Sequence, residues 1–573
     1  MSGKSHTKRR SAGSGTDGGR SARGDGRLLL FAYGISGAAA LAYEVGWMRE
    51  LSAMLGATAY ASGTMLSAYM AGLGLGTLLG VWLSKRVKHP LRAASRAELA
   101  VAVFSVFALL GIRFFPGVYF DLMKQLRLSG PAFLSLQFAA SFAVMLLPTI
   151  AMGTTYPLMM EAVGKRGELG AWSGRLYSVN TAGAIVGSLA TGFVLIPLVG
   201  VKGALFSAAL LSSVAAVVLA TLGTRFSGAP QFWRSPESLL IPCSLGAILL
   251  IPAITGTPLG LGQVYYFNSA AQYKLQSESR TTLYQSEGIY SRVTVVQDGD
   301  GLKTLSNGAL DEGNNGLQDQ STTAMIAIAP AASTESTKSA LVIGLGTGFT
   351  SAAYQRLGFD HVTTVEINPD VLPASSYFVG PIPEGDPRWE VVVDDARAHI
   401  LTNPERYDAI SSEPSWPWSS GVAALFTREF VAAAKTRLNP GGVYCQWLPN
   451  YILQSDDVKM MYRTMSEVYP RVDVWAINLP NDPESELLFV GHNDPGGRTP
   501  DEVLKRIDEI GGTFATDNYL VRPGLVTPYS DIDGLVAAAK DDGVPLNTDD
   551  HSTLEYRVFW NFVNNAIART NGQ

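Results

Sequence analysis

The chain has 573 residues, 47% of them hydrophobic and only 16% charged, with a formal net charge of −5. That composition excludes a disordered chain, a long basic arm for nucleic acid and a small disulfide scaffold, and two cysteines cannot build a four-thiolate metal site. The average conceals a split: residues 1–27 carry net +5, residues 28–256 net +8 with about 10% charged residues, and residues 257–573 net −18 with about 20%.

In chain order, the Gly/Ser/Arg-rich tail 1–27 is expected to be disordered, and nothing in it predicts a cleaved signal peptide. Seven apolar runs follow, at 28–45, 58–83, 99–118, 133–152, 176–199, 204–222 and 238–254. A span needs ~20 mostly apolar residues, so residues 28–256 are predicted to form a multi-span α-helical membrane domain. Gly72, Gly76 and Gly80, and again Gly183 and Gly187, recur every four residues. Such spacing lets helix backbones approach closely in lipid, although glycine is also generally abundant in such helices.

Lys/Arg in short loops face the cytoplasm. The tail, the turn with Lys85, Arg86, Lys88, Arg92 and Arg96, and the turn with Lys165, Arg166 and Arg175 agree on that face. Seven full crossings would place residues after 257 outside, so a half-spanning last segment, interrupted by Pro242 and Pro252, is one way to keep the second half inside. Glu44, with Arg49 or Arg175 as a candidate partner and Tyr177, Asn180 and Thr181 nearby, marks either a polar ligand site at one membrane face or a structural hydrogen-bond cluster. Pro148 and the Gly153–Thr154 pair are expected to interrupt the fourth segment.

The acidic half begins with a linker and β element over 257–335. Strands over 282–297 and 303–306 lead to Asn307–Gly308, a strong turn signal, and predict a small β-hairpin element. Residues 339–343 form a short apolar run that enters Gly344, Gly346 and Gly348, followed by a helix, a second strand and Glu366. Glycines permit a tight turn and close ligand approach, and an acid ending the second strand can accept hydrogen bonds from ribose hydroxyls. A third strand ends at Asp394 and Asp395, where an acid can bond an adenine amino group. A fourth ends at Ser412–Glu413–Pro414, and a helix then leads to Gly441–Gly442 and a fifth strand. This alternation predicts an α/β Rossmann-like (class I methyltransferase-type) domain over 336–495, with a C-terminal extension over 496–573. Glu366, Asp394 and Glu413 would line one rim. No histidine has ligand spacing, and no metal is expected.

These residues resemble the polyamine aminopropyltransferase (spermidine synthase) family, in particular bacterial members fused to a multi-span membrane domain. The resemblance rests on Tyr284–Gln285, the loop from Gly344 to Gly348, Glu366, Asp394–Asp395–Ala396–Arg397, Tyr407–Asp408, the run from Leu425 to Phe430 and Gly441–Gly442. It continues in the first half at Tyr43–Glu44–Val45–Gly46–Trp47, between Pro148 and Pro157 and at Tyr177–Ser178–Val179–Asn180–Thr181. The tail residues Asn547, Thr548, Asp549, Asp550 and Glu555 also belong to it, or form an acidic surface turn.

The resemblance implies an aminopropyl transferase using decarboxylated S-adenosylmethionine or S-adenosylmethionine and releasing methylthioadenosine. In it Gln285, the three loop glycines and Glu366 hold the donor, Asp394 and Asp395 hold adenine, Tyr284 is a catalytic candidate and Glu413 is the base. The family's second acid after the fourth strand is replaced by Trp416, and its Asp–Glu pair reads Asp319–Gln320. Trp416, Asp319 and Glu44 are therefore the candidate acceptor contacts. With fewer acids and more aromatics, the acceptor is expected to be larger, more apolar or membrane-presented than putrescine. Expected partners are the nucleoside donor, an amine acceptor and the lipid bilayer, with no nucleic acid and room for a homodimer. The expected location is the bacterial inner membrane, multi-pass, with the catalytic domain in the cytoplasm. The glycine loop also fits a methyltransferase, or a transporter or sensor with a regulatory nucleoside domain.

Overall fold

A computed structural model describes residues 15–126, 128, 130–164, 169–227, 238, 280–308, 310–380, 387–479, 482–514 and 524–569. The chain divides into two compact units. The first comprises Met1–Glu50, Thr64–Arg113 and Phe138–Thr257, and the second Leu51–Gly63, Phe114–Gln137 and Pro258–Gln573.

The first unit is built on helices α1 (Gly15–Leu55), α2 (Ala59–Ser84), α3 (Pro90–Leu126), α4 (Gly130–Gly164), α5 (Leu169–Ala190) and α6 (Ile196–Ser227), with a π-helical turn between α5 and α6. Five described stretches are long and apolar enough to cross a membrane. They absorb the first six predicted runs, because 176–199 and 204–222 lie in one helical stretch, Leu169–Arg225. That stretch bends at Gly200, whose φ of 71° an L side chain rarely adopts. The seventh run, residues 1–14 and most of the linker lie outside the described residues. Residues 15–27 are helical, so the tail is not wholly irregular.

Apolar side chains turn outward along these helices: Leu78 is 70% exposed and Leu198 75%. Outward apolar side chains of this number mark a surface that a partner or lipid would cover. Pro148 and Pro157 sit inside an unbroken α4, correcting the predicted interruption. The Gly153 region instead receives the glycine stripe of α2. A Cβ at Gly76 would collide with the Ile150 carbonyl and one at Gly72 with Thr149, while Gly183 and Gly187 abut the backbone of Gly34 and Ala38 on α1. Gly63, also on α2, faces open space. Replacing a helical glycine with alanine ordinarily gains about 1 kcal/mol. Gly76→Ala is expected to reverse that sign and lose about 1–3 kcal/mol by overpacking, while Gly63→Ala raises or preserves the midpoint of thermal unfolding.

The second unit carries two sheets. Strands β1 (Thr281–Glu287), β2 (Arg292–Gln297), β3 (Lys303–Asn307) and β4 (Leu310–Asn314) form an antiparallel sheet in sequence order. The expected hairpin is therefore part of a four-stranded meander, turned at Gly308 with φ 69°. Helix α7 (Leu317–Ser333) leads into β5 (Ser339–Ile343), α8 (Phe349–Arg356), β6 (His361–Glu366), α9 (Val371–Val379), β7 (Trp389–Val393), α10 (Ala396–Thr402), β8 (Tyr407–Ser412), α11 (Arg428–Lys435) and β9 (Leu438–Leu448). Next come α12 (Ser455–Ser466), β10 (Arg471–Leu479), β11 (Asp482–His492), α13 (Pro500–Phe514), β12 (Val526–Pro528), α14 (Ile532–Ala539) and α15 (Thr553–Arg569).

The eight-stranded sheet has the order β12-β10-β11-β9-β8-β5-β6-β7. Its members β7, β6, β5, β8 and β9 are mutually parallel, and β11, β10 and β12 add antiparallel pairs. The order reverses at β5, between β6 and β8, which opens a crevice at the carboxyl ends of these strands. The core beneath is largely apolar: Ala340, Val342, Val362, Ala409 and Leu488 are fully buried.

The segments Leu51–Gly63 and Phe114–Gln137 complete this unit around α15. Tyr60 lies against Tyr556, Phe559 and Trp560, and Phe133 against Phe559 and Trp560, at centroid distances of 5.5–6.0 Å. The Ser420 N–H donates to the Ala57 carbonyl at 2.9 Å.

Candidate active site

The crevice is lined first by the glycine loop. Gly344, Gly346 and Gly348 all have positive φ, at 91°, 49° and 84°. Gly344 also lacks room for a side chain, since a Cβ would stand 2.8 Å from the Glu413 carbonyl. The loop thereby brings the ends of β5 and β8 together. Glu366, at the end of β6, is nearly buried; it accepts from the Leu345 N–H at 3.0 Å and the Asn368 N–H at 2.8 Å. Burial pushes its carboxyl above the usual range and these bonds pull it back. A carboxylate fixed by backbone on both sides is pre-oriented for a diol. Asp394 follows on the next strand, its N–H bonded to the Glu366 carbonyl. Asp395 is spent differently, accepting from the Ala398 N–H at 2.8 Å as the N-cap of α10.

Glu413 lies opposite. Its carboxyl receives the Thr350 hydroxyl at 2.6 Å. It is raised to about 8, first by burial and then by the negative charge of Asp319, Glu486 and Glu312, against the Thr350 bond. Glu312, on β4, accepts from the Ser415 hydroxyl and is raised to about 7, mainly by burial, with Glu366 and Asp311 adding to it. Asp319, on the first turn of α7, accepts from the Asn314 N–H at 2.7 Å and is raised to about 6, again mainly by burial. Glu486, on β11, is held by the Trp447 indole N–H at 2.9 Å.

The structure thus gathers Glu366, Asp394, Glu413 and Asp319, with the three glycines, at one set of strand ends. It adds Glu312 and Glu486, which sequence pattern alone does not single out. Their carboxyls sit on β-strands, where nothing in the local pattern separates a site acid from an edge acid.

The other candidates have the following surroundings. Trp416 is packed into an aromatic cluster with Trp418, Tyr451 and Phe562, at 5.3–5.9 Å. Tyr284 has Tyr377, Ser286 and Asp370 as neighbours, on the β6–α9 side. Gln285, beside it on β1, is exposed and pairs with Thr294. Glu44 belongs to the helical unit, where it has no ion pair among the described residues. Arg175 instead lies over Trp172, and Tyr177 is 69% exposed.

The C-terminal segment is tied to the helix that follows Asp394. Arg397, one turn past Asp394, pairs with Asp549, which also receives the Thr427 hydroxyl at 2.7 Å and donates its N–H to Glu429. The Arg397 bond is the main cause holding the Asp549 carboxyl below its usual range. Asn547 bonds the Phe426 carbonyl, and Arg428 donates to the Asn547 carbonyl. Residues 547–549 are therefore a strap across α10 and α11.

Residues 319–494 match the family model of the spermine/spermidine synthase domain. The polyamine aminopropyltransferase of Corynebacterium efficiens is 26% identical over 516 residues, covering 86% of this chain and 92% of that protein. The polyamine aminopropyltransferase of Mycobacterium tuberculosis is 26% identical over 433 residues, covering 73% and 76%. An alignment of 516 residues exceeds the catalytic region, so the likeness to the first extends into the helical one. Among solved structures, the spermidine synthase of Thermotoga maritima has 19% identity and a TM-score of 0.35, covering 45% of this chain and 83% of that one.

Proposed function

We propose that this chain, whose residues 319–494 match the spermine/spermidine synthase domain, is a membrane-anchored aminopropyltransferase acting on a multiply charged amine. The donor is decarboxylated S-adenosylmethionine. The observation that carries the reading is the gathering of Glu312, Asp319, Glu413 and Glu486 opposite Glu366. A crevice with this many carboxyls favours cationic ligands, and a sulfonium nucleoside and a di- or polyamine are both cationic.

In this reading Glu366 takes the ribose hydroxyls and Asp394 the adenine. Asp319, Glu312 and Glu486 hold the ammonium groups of the acceptor. Glu413 accepts a proton from the attacking nitrogen. That nitrogen forms a bond to the propyl carbon next to sulfur, the carbon–sulfur bond breaks, and its electron pair leaves on the thioether of methylthioadenosine. The Thr350 hydroxyl, donating to Glu413, stabilises its carboxylate form. The acids of β4 and β11 supply what Trp416 lacks, so the acceptor is a polyamine-type cation rather than an apolar molecule. The outward apolar faces of α2, α5 and α6 support the membrane anchor.

Full-length protein in detergent, given the donor and a panel of di- and polyamines, is expected to release methylthioadenosine with one amine lengthened by an aminopropyl unit. S-adenosylhomocysteine with a methylated amine would establish a methyltransferase instead. Nucleoside binding without either product would leave a regulatory domain.

A further inference from the structure

The helical unit holds a carboxyl that nothing in the transferase reading uses. Glu98, on α3, is 2% exposed and lies within a stretch apolar enough to cross a membrane. Its carboxyl accepts from the Ser36 hydroxyl of α1 at 2.5 Å. The hydroxyls of Thr155 on α4 and Ser212 on α6 also approach it. Tyr43 of α1 adds a phenol that approaches Ser105 and Ser212. Three helices thus converge their polar atoms on one buried acid of a fourth.

The set is incomplete. The hydroxyls of Tyr43, Thr155 and Ser212 and the indole N–H of Trp47 are buried without completing a hydrogen bond. No Lys, Arg or His pairs with Glu98 among the described residues. A carboxylate in such a place needs a cation or a proton, and buried hydroxyls need partners. The walls are aromatic as well: Tyr43 stacks on Trp47 at 5.1 Å, and Tyr33 on Tyr156 at 6.1 Å. A carboxylate, several hydroxyl acceptors and aromatic faces together suit an ammonium group, which brings three N–H donors and a charge that π faces attract.

We infer that Glu98 is the anchor of a second amine site, located in the helical unit, that binds the ammonium end of an organic amine independently of the catalytic crevice. The choice of an amine rests on the aminopropyltransferase reading; the choice of Glu98 and its hydroxyls does not.

The test is equilibrium dialysis of the full-length protein in nanodiscs with labelled spermidine, without donor. Wild type is expected to bind two equivalents and Glu98→Gln one, with the affinity for an adenosine-type nucleoside unchanged. Tyr43→Phe and Ser212→Ala, which keep the carboxyl, are expected to weaken the same site about 5- to 10-fold, so the result does not depend on one variant folding. Unchanged stoichiometry in all three variants overturns the inference. So does sodium or proton uptake that depends on Glu98 while spermidine stoichiometry does not. Transfer activity with one amine site refutes this inference alone, and a Glu98-dependent amine site without transfer refutes the transferase reading alone.

Discussion

Glu413→Gln is expected to lower kcat by about 10²–10⁴-fold while leaving donor affinity within about twofold. The carboxyl is half-buried beside the glycine loop, bonded to Thr350 and raised to about 8. A base must be unprotonated, so the wild-type kcat/KM of the free enzyme should climb with pH through about 8. A bound ammonium favours the carboxylate, and the corresponding limb of kcat should lie at lower pH. A carboxamide cannot titrate, so the Glu413→Gln variant loses this limb rather than shifting it. Thr350→Val should keep the limb but move it upward, because the hydroxyl holds the carboxyl down. Steady-state kinetics from pH 6 to 9.5 check all of this. A variant with normal kcat, or one that keeps the limb, would remove Glu413 from the role of base.

Glu312→Gln is expected to raise the KM for the amine by about 30- to several-thousand-fold with a smaller effect on kcat, since removing one member of a desolvated charge pair costs about 2–5 kcal/mol. A second readout comes from linkage. Glu413, Glu312 and Asp319 have folded values of about 8, 7 and 6, all above their unfolded ones. Their contribution to stability is complete below about pH 4 and is lost as pH rises through those values. The unliganded protein should therefore melt at progressively lower temperature between pH 5 and 8.5. A polyamine, binding the ionised acids, should restore more at pH 8 than at pH 6. Glu312→Gln should shrink both the pH slope and the amine-induced rise. Equal thermal shifts at the two pH values, in wild type and variant alike, would separate the acids from amine binding.

The parallel core was legible because its signals are local. The apolar run 339–343, the glycine loop, an eight-residue helix and Glu366 follow one another without a gap, and each residue type is forced by its position. Asp394 and Glu413 were readable for the same reason, as the first acids after a strand. Glu312 and Glu486 were not. They approach Glu413 only because β4 and β11 are brought to the crevice by the topology of two different sheets. Asp395 looked equivalent to its neighbour, yet the helix that starts beside it claims its side chain. Trp416 looked like a ligand wall because its position in the motif normally carries an acid. The structure also sets Phe562, almost 150 residues further on, against it, a neighbour no local pattern gives. In the helical unit, Pro148 suggested a break because proline breaks helices in water, whereas α4 runs through it unbroken.

The discontinuity of the second unit bears on how the activity can be isolated. Sequence comparison invites a cut near residue 258, as though a water-soluble enzyme had simply been appended to an anchor. The unit does not end there: Tyr60 and Phe133 lie against α15, and α15 lies against the Trp416–Trp418 loop that follows Glu413. A fragment beginning at residue 258 would uncover Phe559 and Trp560 and lose the Ala57 bond to the loop. Trimming there would unroof the helix that backs the Trp416–Trp418 loop.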